Sequence, residues 1–145
     1  MNATLRKFGY PDTLVAEYLH WCVLLRPQQV TLGALVLAAK SEVESFSALP
    51  AQAFAELAQV TQEIEQGLGR FEPYQKINYL MLMMVDKHVH MHVVPRYDGA
   101  RQFNGIAFKD AGWPALPDLK LSTELTPSER SGLLASVRDA FKQSC

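Results

Sequence analysis

His88-Val89-His90-Met91-His92-Val93-Val94-Pro95-Arg96 is the stretch that decides how this chain folds. Three imidazoles alternate with apolar residues, directly after an apolar run from Leu80 to Val85. Alternation at period two is a strand signal, because successive side chains leave opposite faces of a sheet. The spacing puts His88, His90 and His92 on one face, roughly 6.5–7 Å apart from one to the next. Val89, Met91 and Val93 then turn to the core. The chain has four histidines and three of them are here. A core strand has no use for imidazoles along a whole face, so this face is read as a place for chemistry.

Working outward, Lys76 to Val85 reads as the preceding strand, with Asp86-Lys87 as a two-residue hairpin connection. Glu72-Pro73-Tyr74 is a break. Before it, Phe54, Leu57, Ala58, Val60, Thr61, Ile64 and Leu68 follow 3-and-4 spacing, with Gln52, Glu56, Gln59, Glu63 and Gln66 on the other face. That pattern predicts an amphipathic helix of about five turns, with Pro50 at its first position and Gly67 or Gly69 as C-cap. Further upstream, Leu14–Tyr18 and Trp21–Leu25 read as a hairpin bent near His20, and Ala34–Ala39 as a third strand. Downstream, residues 97–124 read as a long irregular excursion with aromatic anchors, a length that is uncommon without a function. Thr126-Pro127-Ser128-Glu129 is a capping box with Pro at the first helical position, opening a C-terminal helix striped by Leu133, Leu134, Val137 and Phe141. The whole chain, 1–145, is expected to be one α+β domain: a mainly antiparallel sheet, one long central helix and a C-terminal helix.

Composition agrees with an ordinary globular domain. The 145 residues are 48% apolar and 20% charged, with a formal net charge of -1, which implies no general attraction to nucleic acid or anionic lipid. No apolar run approaches the ~20 residues needed to span a bilayer. Met1–Lys7 has no apolar core behind its charges, so no secretory signal is expected. Cys22 and Cys145 suit free thiols better than a disulfide, which points to a cytoplasmic protein.

Three explanations compete for the histidine face. Histidines on an exposed edge strand would do nothing in particular. A metal site is the second: His-x-His can supply two imidazoles to zinc, but Asp86 and Asp98 are the near carboxylates and Cys22 is distant in sequence. The third is nucleophilic catalysis at phosphorus, in which a neutral imidazole attacks a phosphate ester or phosphoramidate and water then cleaves the phosphorylated histidine. That chemistry wants one imidazole held in a fixed tautomer and a neighbour that donates to phosphate or leaving group.

The run His-apolar-His-apolar-His-apolar-apolar, at His88 to Val94, resembles the signature of the histidine triad (HIT) superfamily. The extension Pro95-Arg96 resembles the form found in the fragile-histidine-triad branch and in bacterial dinucleoside polyphosphate hydrolase-like members. The resemblance covers roughly residues 13–97, leaving 98–145 as the irregular segment and C-terminal helix. It implies a HIT-like fold and a nucleotide hydrolase or nucleotidyl transferase that works through a nucleotidyl-histidine intermediate. His90 would be the nucleophile, His92 would contact the α-phosphate and help the leaving group, and His88 would orient its neighbours. Asn78 would contact phosphate or leaving group. Read from their own places in the chain, backbone N–H groups or Lys87 would have to serve the phosphate, and Arg96 at the strand end would either meet a distal phosphate bidentately or form a salt bridge. No metal is implied for the covalent step, although magnesium can accompany a polyphosphate substrate. A homodimer through the central helix and histidine-side strands is also implied.

The chain departs from the family pattern in three places, the first being Lys40-Ser41-Glu42, which stands where the family has an upstream histidine. Met83-Met84-Val85-Asp86 stands where many members have small and hydroxyl residues against the phosphate. Arg26 stands where Asp or Asn often receives the ribose hydroxyls, and an Arg cannot accept hydrogen bonds. The last two departures motivate an alternative, a catalytically weak nucleotide-binding or regulatory protein.

Overall fold

A computed structural model describes residues 2–142. Its elements run α1 (Ala3–Lys7), β1 (Leu14–Glu17), β2 (Trp21–Leu25), β3 (Leu35–Ala39), α2 (Ala51–Phe71), β4 (Lys76–Leu80), β5 (His90–Arg96), β6 (Arg101–Phe103), β7 (Ile106–Phe108) and α3 (Pro127–Lys142). Five strands form one antiparallel sheet in the order β1-β2-β3-β5-β4, and β6 pairs with β7 as a separate hairpin. This is the α+β architecture expected. Among the described residues, no helix is long and apolar enough to cross a membrane.

The two faces of the sheet carry different cores. Trp21, Val23, Leu25, Leu35, Leu37 and Val93 face the helices, where Val60, Ile64 and Leu68 of α2 and Leu133 and Val137 of α3 cover them. Trp21 Nε1 donates to Ala53 O at 2.8 Å, so the largest buried ring loses no hydrogen bond on burial. The opposite face has a smaller apolar patch of Cys22, Leu24, Val36 and Ala38, covered by Leu5 and Phe8. A short α1 is thus laid across the face that continues into the histidines. Asn2 caps it by accepting from Leu5 N, and donates through Nδ2 to Ala39 O and Ser41 O.

Several expectations need correction. β4 stops at Leu80 and β5 starts at His90, so residues 81–89 form a loop and not a two-residue turn. Met84 and Val85 there are 84% and 81% exposed: the apolar run outlasts the strand because no partner strand remains to pair it. His88 therefore lies before the strand. α2 passes through both glycines and begins after Pro50, which is its N-cap. A Cβ at Gly67 would lie 2.5 Å from Phe141 Cδ1, so this glycine permits close approach of α2 and α3 and ends nothing. The excursion from 97 contains the β6–β7 hairpin, turned by Asn104 and Gly105 at φ 49° and 81°. The capping box holds: Glu129 N donates to Thr126 Oγ1 at 3.1 Å and Thr126 N to Glu129 Oε1 at 2.8 Å.

Candidate active site

β5 alternates as the sequence requires, so His90, His92, Val94 and Arg96 share a face. β3 supplies small or apolar neighbours there, with Ala38 opposite His90 and Val36 opposite His92. Both imidazoles are buried, at 2% and 8% exposure, with ring centroids 5.3 Å apart and nearly perpendicular planes. His90 Nδ1 lies 2.7 Å from His88 O. A carbonyl can only accept, so Nδ1 carries the proton and Nε2 is left with its lone pair. His88 Nδ1 meets the Thr4 hydroxyl at 3.0 Å, and its Nε2 is 3.6 Å from Glu42 Oε2. His88 thus contributes chiefly through its backbone, and its ring ties the 81–89 loop to α1.

His92 is held neutral. Burial, and next the nearby Arg26 guanidinium, push its pKa down from 6.5 to about 4. Its Nδ1 is buried with no hydrogen-bond partner. Phe8 covers both rings, tilted on His90 at 5.8 Å and edge-on to His92 at 5.9 Å. Beside His88 opens a cavity of about 500 Å³, edged by Thr4, Lys7, Asp86 and Lys87. Lys7 Nζ and Asp86 Oδ1 pair across its mouth at 2.8 Å.

The structure brings His88, His90 and His92 together and puts Lys87 at the cavity rim. Asn78 and Arg96 it places elsewhere on the face. Asn78 is opposite Val94, one row past His92, and Arg96 is one row further. Arg96 is fully committed to the protein: Nε and Nη2 donate to Asp110 at 2.7 and 3.1 Å, Nη1 to Asn78 Oδ1 at 2.8 Å, and Nη2 also to Ala115 O at 2.8 Å. A buried guanidinium must find acceptors, and Asp110 supplies them. Of the two readings of Arg96, phosphate ligand or salt bridge, the structure shows the salt bridge, which clasps the chain after β5. Asn78 retains a free amide group but has given its oxygen to Arg96.

Three residues near the histidines were not found from the sequence as site residues. Thr4 sits in, and Phe8 caps, a five-residue helix too short to show periodicity. Arg26 was read only as a misfit. It follows Cys22 and Leu24 in the alternation of β2, with its N–H bonded to Ala34 O at 3.0 Å, which puts its side chain on the histidine face. Among the described residues, no group of three or more His, Cys, Asp or Glu side chains is placed to hold a metal ion.

The HIT domain model matches residues 11–99 of the chain. No curated protein matches significantly. Solved structures do: a histidine triad protein from Marinobacter aquaeolei is 17% identical with TM-score 0.75, covering 100% of this chain and 97% of that one. One from Sinorhizobium meliloti is 18% identical with TM-score 0.74, covering 97% and 95%. A hypothetical histidine triad nucleotide-binding protein from Sulfolobus tokodaii is 18% identical with TM-score 0.69, covering 96% and 89%. At these identities the structures speak for the fold, and the family model speaks for descent. With its three histidines on and before β5 and the domain match across more than half its length, the chain belongs to the histidine triad (HIT) family.

Proposed function

We propose that this protein is a nucleotide hydrolase or nucleotidyl transferase acting at an α-phosphate through a nucleotidyl-His90 intermediate. The observation that carries the reading is the 2.7 Å bond from His90 Nδ1–H to His88 O, which leaves Nε2 as the nucleophile. Nε2 attacks phosphorus, the N–P bond forms and the bond to the leaving oxygen or nitrogen breaks. The leaving group takes a proton from solvent, and the water that attacks in the second step returns one. Water then attacks the same phosphorus, the N–P bond breaks, and a nucleoside monophosphate departs with His90 restored. Attachment at Nε2 makes the ring cationic while Nδ1–H remains bonded to His88 O, so the carbonyl stabilises the charge that develops. His92, neutral at pH 7, offers its one N–H to a phosphate of the substrate. Lys87 adds positive charge at the cavity beside His88, where Lys7 is paired with Asp86. The Sulfolobus relative described as nucleotide-binding supports a nucleotide ligand.

No metal takes part in the covalent step of this scheme; magnesium would enter only with a polyphosphate substrate. Two copies would associate through α2 and the turn before it, where Phe54 and Phe46, each more than a third exposed and 5.2 Å apart, offer apolar surface. Sedimentation of the protein tests that association.

A second reading, a weakly active nucleotide-binding protein, is favoured by the cover that Phe8 forms over both imidazoles. The deciding experiment is AMP release from adenosine 5′-phosphoramidate and from diadenosine polyphosphates, by the natural protein and by His90→Ala, with and without EDTA. Turnover that survives EDTA and vanishes in His90→Ala supports covalent catalysis. Nucleotide binding without turnover leaves the second reading in front.

A further inference from the structure

Among the described residues, buried side-chain polar atoms without a hydrogen bond occur in three places: Arg26 Nε, His92 Nδ1 and Arg130 Nε. Two of them share the histidine face. Leu24 lies opposite Val36, and Val36 opposite His92; Arg26 comes one alternation step past Leu24 on the same side of the sheet. The side chain next to it across β3 is Ala34, which leaves room for a guanidinium to lie toward His92. Native proteins rarely leave a buried polar atom without a partner, and two on neighbouring rows call for one ligand rather than two accidents.

The Arg26 guanidinium has no carboxylate partner among the described residues. Its one hydrogen bond is from Nη1 to Gln28 O at 2.7 Å, which orders the turn after β2 and leaves Nε uncommitted. Its positive charge helps lower the His92 pKa, in keeping with their places on neighbouring rows of one face. The carboxylate that acts on His92 is Asp86, and that one is neutralised by Lys7. The surroundings of the two unpartnered atoms are therefore positive and await an anion.

We propose that Arg26 Nε–H and His92 Nδ1–H form an anion subsite that holds a second phosphoryl group of the nucleotide, distinct from the one His90 attacks. The neutral His92 ring places its single proton on Nδ1 to donate, and Arg26 adds a charge-assisted bond from a rigid fork. The subsite rests on the nucleotide reading given above and sharpens its substrate class: doubly phosphorylated nucleotides are favoured over a nucleoside phosphoramidate. The second phosphoryl group has two possible sources, the next phosphate in the chain or a phosphate on the sugar. Entry requires Phe8 to leave the edge of the His92 ring, a weak contact beside two bonds to an anion.

The test measures binding by calorimetry to His90→Ala, which cannot turn ligand over, and to His90→Ala with Arg26→Gln. The probes are AMP, ADP, adenosine 3′,5′-bisphosphate and inorganic pyrophosphate. The expected result is that ADP or the bisphosphate binds at least about tenfold tighter than AMP, as one added charge-assisted contact implies. Arg26→Gln then removes that advantage and leaves AMP affinity nearly unchanged. A gain for ADP alone assigns the chain phosphate, and a gain for the bisphosphate alone assigns the sugar phosphate. Equal affinity for all three nucleotides, or an advantage that survives Arg26→Gln, overturns the subsite. If no nucleotide binds at all, the nucleotide reading fails separately, and pyrophosphate decides the subsite: binding lost in Arg26→Gln keeps it, and absent or unchanged binding overturns it. Should Arg26→Gln not fold, Arg26→Lys, which keeps the charge and lacks the Nε–H, is read by the same criteria.

Discussion

Replacing Asp110 by Ala tests the assignment of Arg96 as a clasp. The Arg96 and Asp110 side chains are 5% and 1% exposed, so the pair is out of water. Asp110 accepts from Arg96 Nε, Arg96 Nη2 and Tyr97 N. Its removal strands a guanidinium that keeps only Asn78 Oδ1 and Ala115 O as acceptors. Breaking a buried pair from one side costs about 3–5 kcal/mol, because the remaining charge stays desolvated. An unfolding entropy of ~2.1 cal/mol/K per residue gives ~0.3 kcal/mol/K for 145 residues, so the midpoint should fall by roughly 10–17 °C. Urea unfolding gives the free energy and a thermal scan gives the shift. The double variant Arg96→Met/Asp110→Leu replaces both partners with apolar groups and is expected to recover most of the loss. Below its midpoint it should also keep kcat within about threefold of the natural protein, since Arg96 touches no substrate. A loss under ~1 kcal/mol for Asp110→Ala would mean the pair is solvated. A double variant that is stable but inactive would return Arg96 to the substrate.

Three further outcomes are expected. His92, with its pKa near 4 against 6.5 when unfolded, gives stability that is full above about pH 6.5 and drains as pH falls toward 4, because the unfolded chain binds the proton first; an NMR titration midpoint of 6 or higher for His92 would contradict this. Gly67→Ala should lose about 1–2 kcal/mol, overpacking against Phe141 outweighing the helix gain, whereas Gly69→Ala, with nothing within 4 Å of its added Cβ, should gain up to ~1 kcal/mol; equal effects in urea unfolding would refute the packing role. Phe8→Ala should speed modification of the imidazoles by diethyl pyrocarbonate several-fold by uncovering His90 and His92, and an unchanged rate would show that Phe8 does not cover them.

Much of the fold was legible because its signals are local. Period-two alternation placed His90 and His92 together, 3-and-4 spacing placed α2, and the Thr126–Glu129 box placed the start of α3. What failed was decided by distant partners. The apolar run to Val85 looks like strand, but whether it pairs depends on β5, not on its own residues. Gly67 looks like a helix stop until Phe141, 74 positions later, is known to pack on it. Arg96 after a catalytic motif invites a phosphate, and only the fold brings Asp110 to it. The Asn104-Gly105 turn is different: it is a strong short-range hairpin signal, and it was there to be read. At the site the geometry of His90 follows from its own strand, whereas Thr4, Phe8 and Arg26 reach it from α1, its C-cap and the end of β2, where neither periodicity nor motif marks them.

The central claim is that a nucleotide becomes bonded to His90. The direct measurement is peptide mass spectrometry after a rapid quench of the protein mixed with adenosine 5′-phosphoramidate or a diadenosine polyphosphate. One adenylyl group on the peptide that contains His90, formed within a turnover and absent from His90→Ala, is the expected result. Turnover with no adduct, or an adduct and AMP release that persist in His90→Ala, would contradict it.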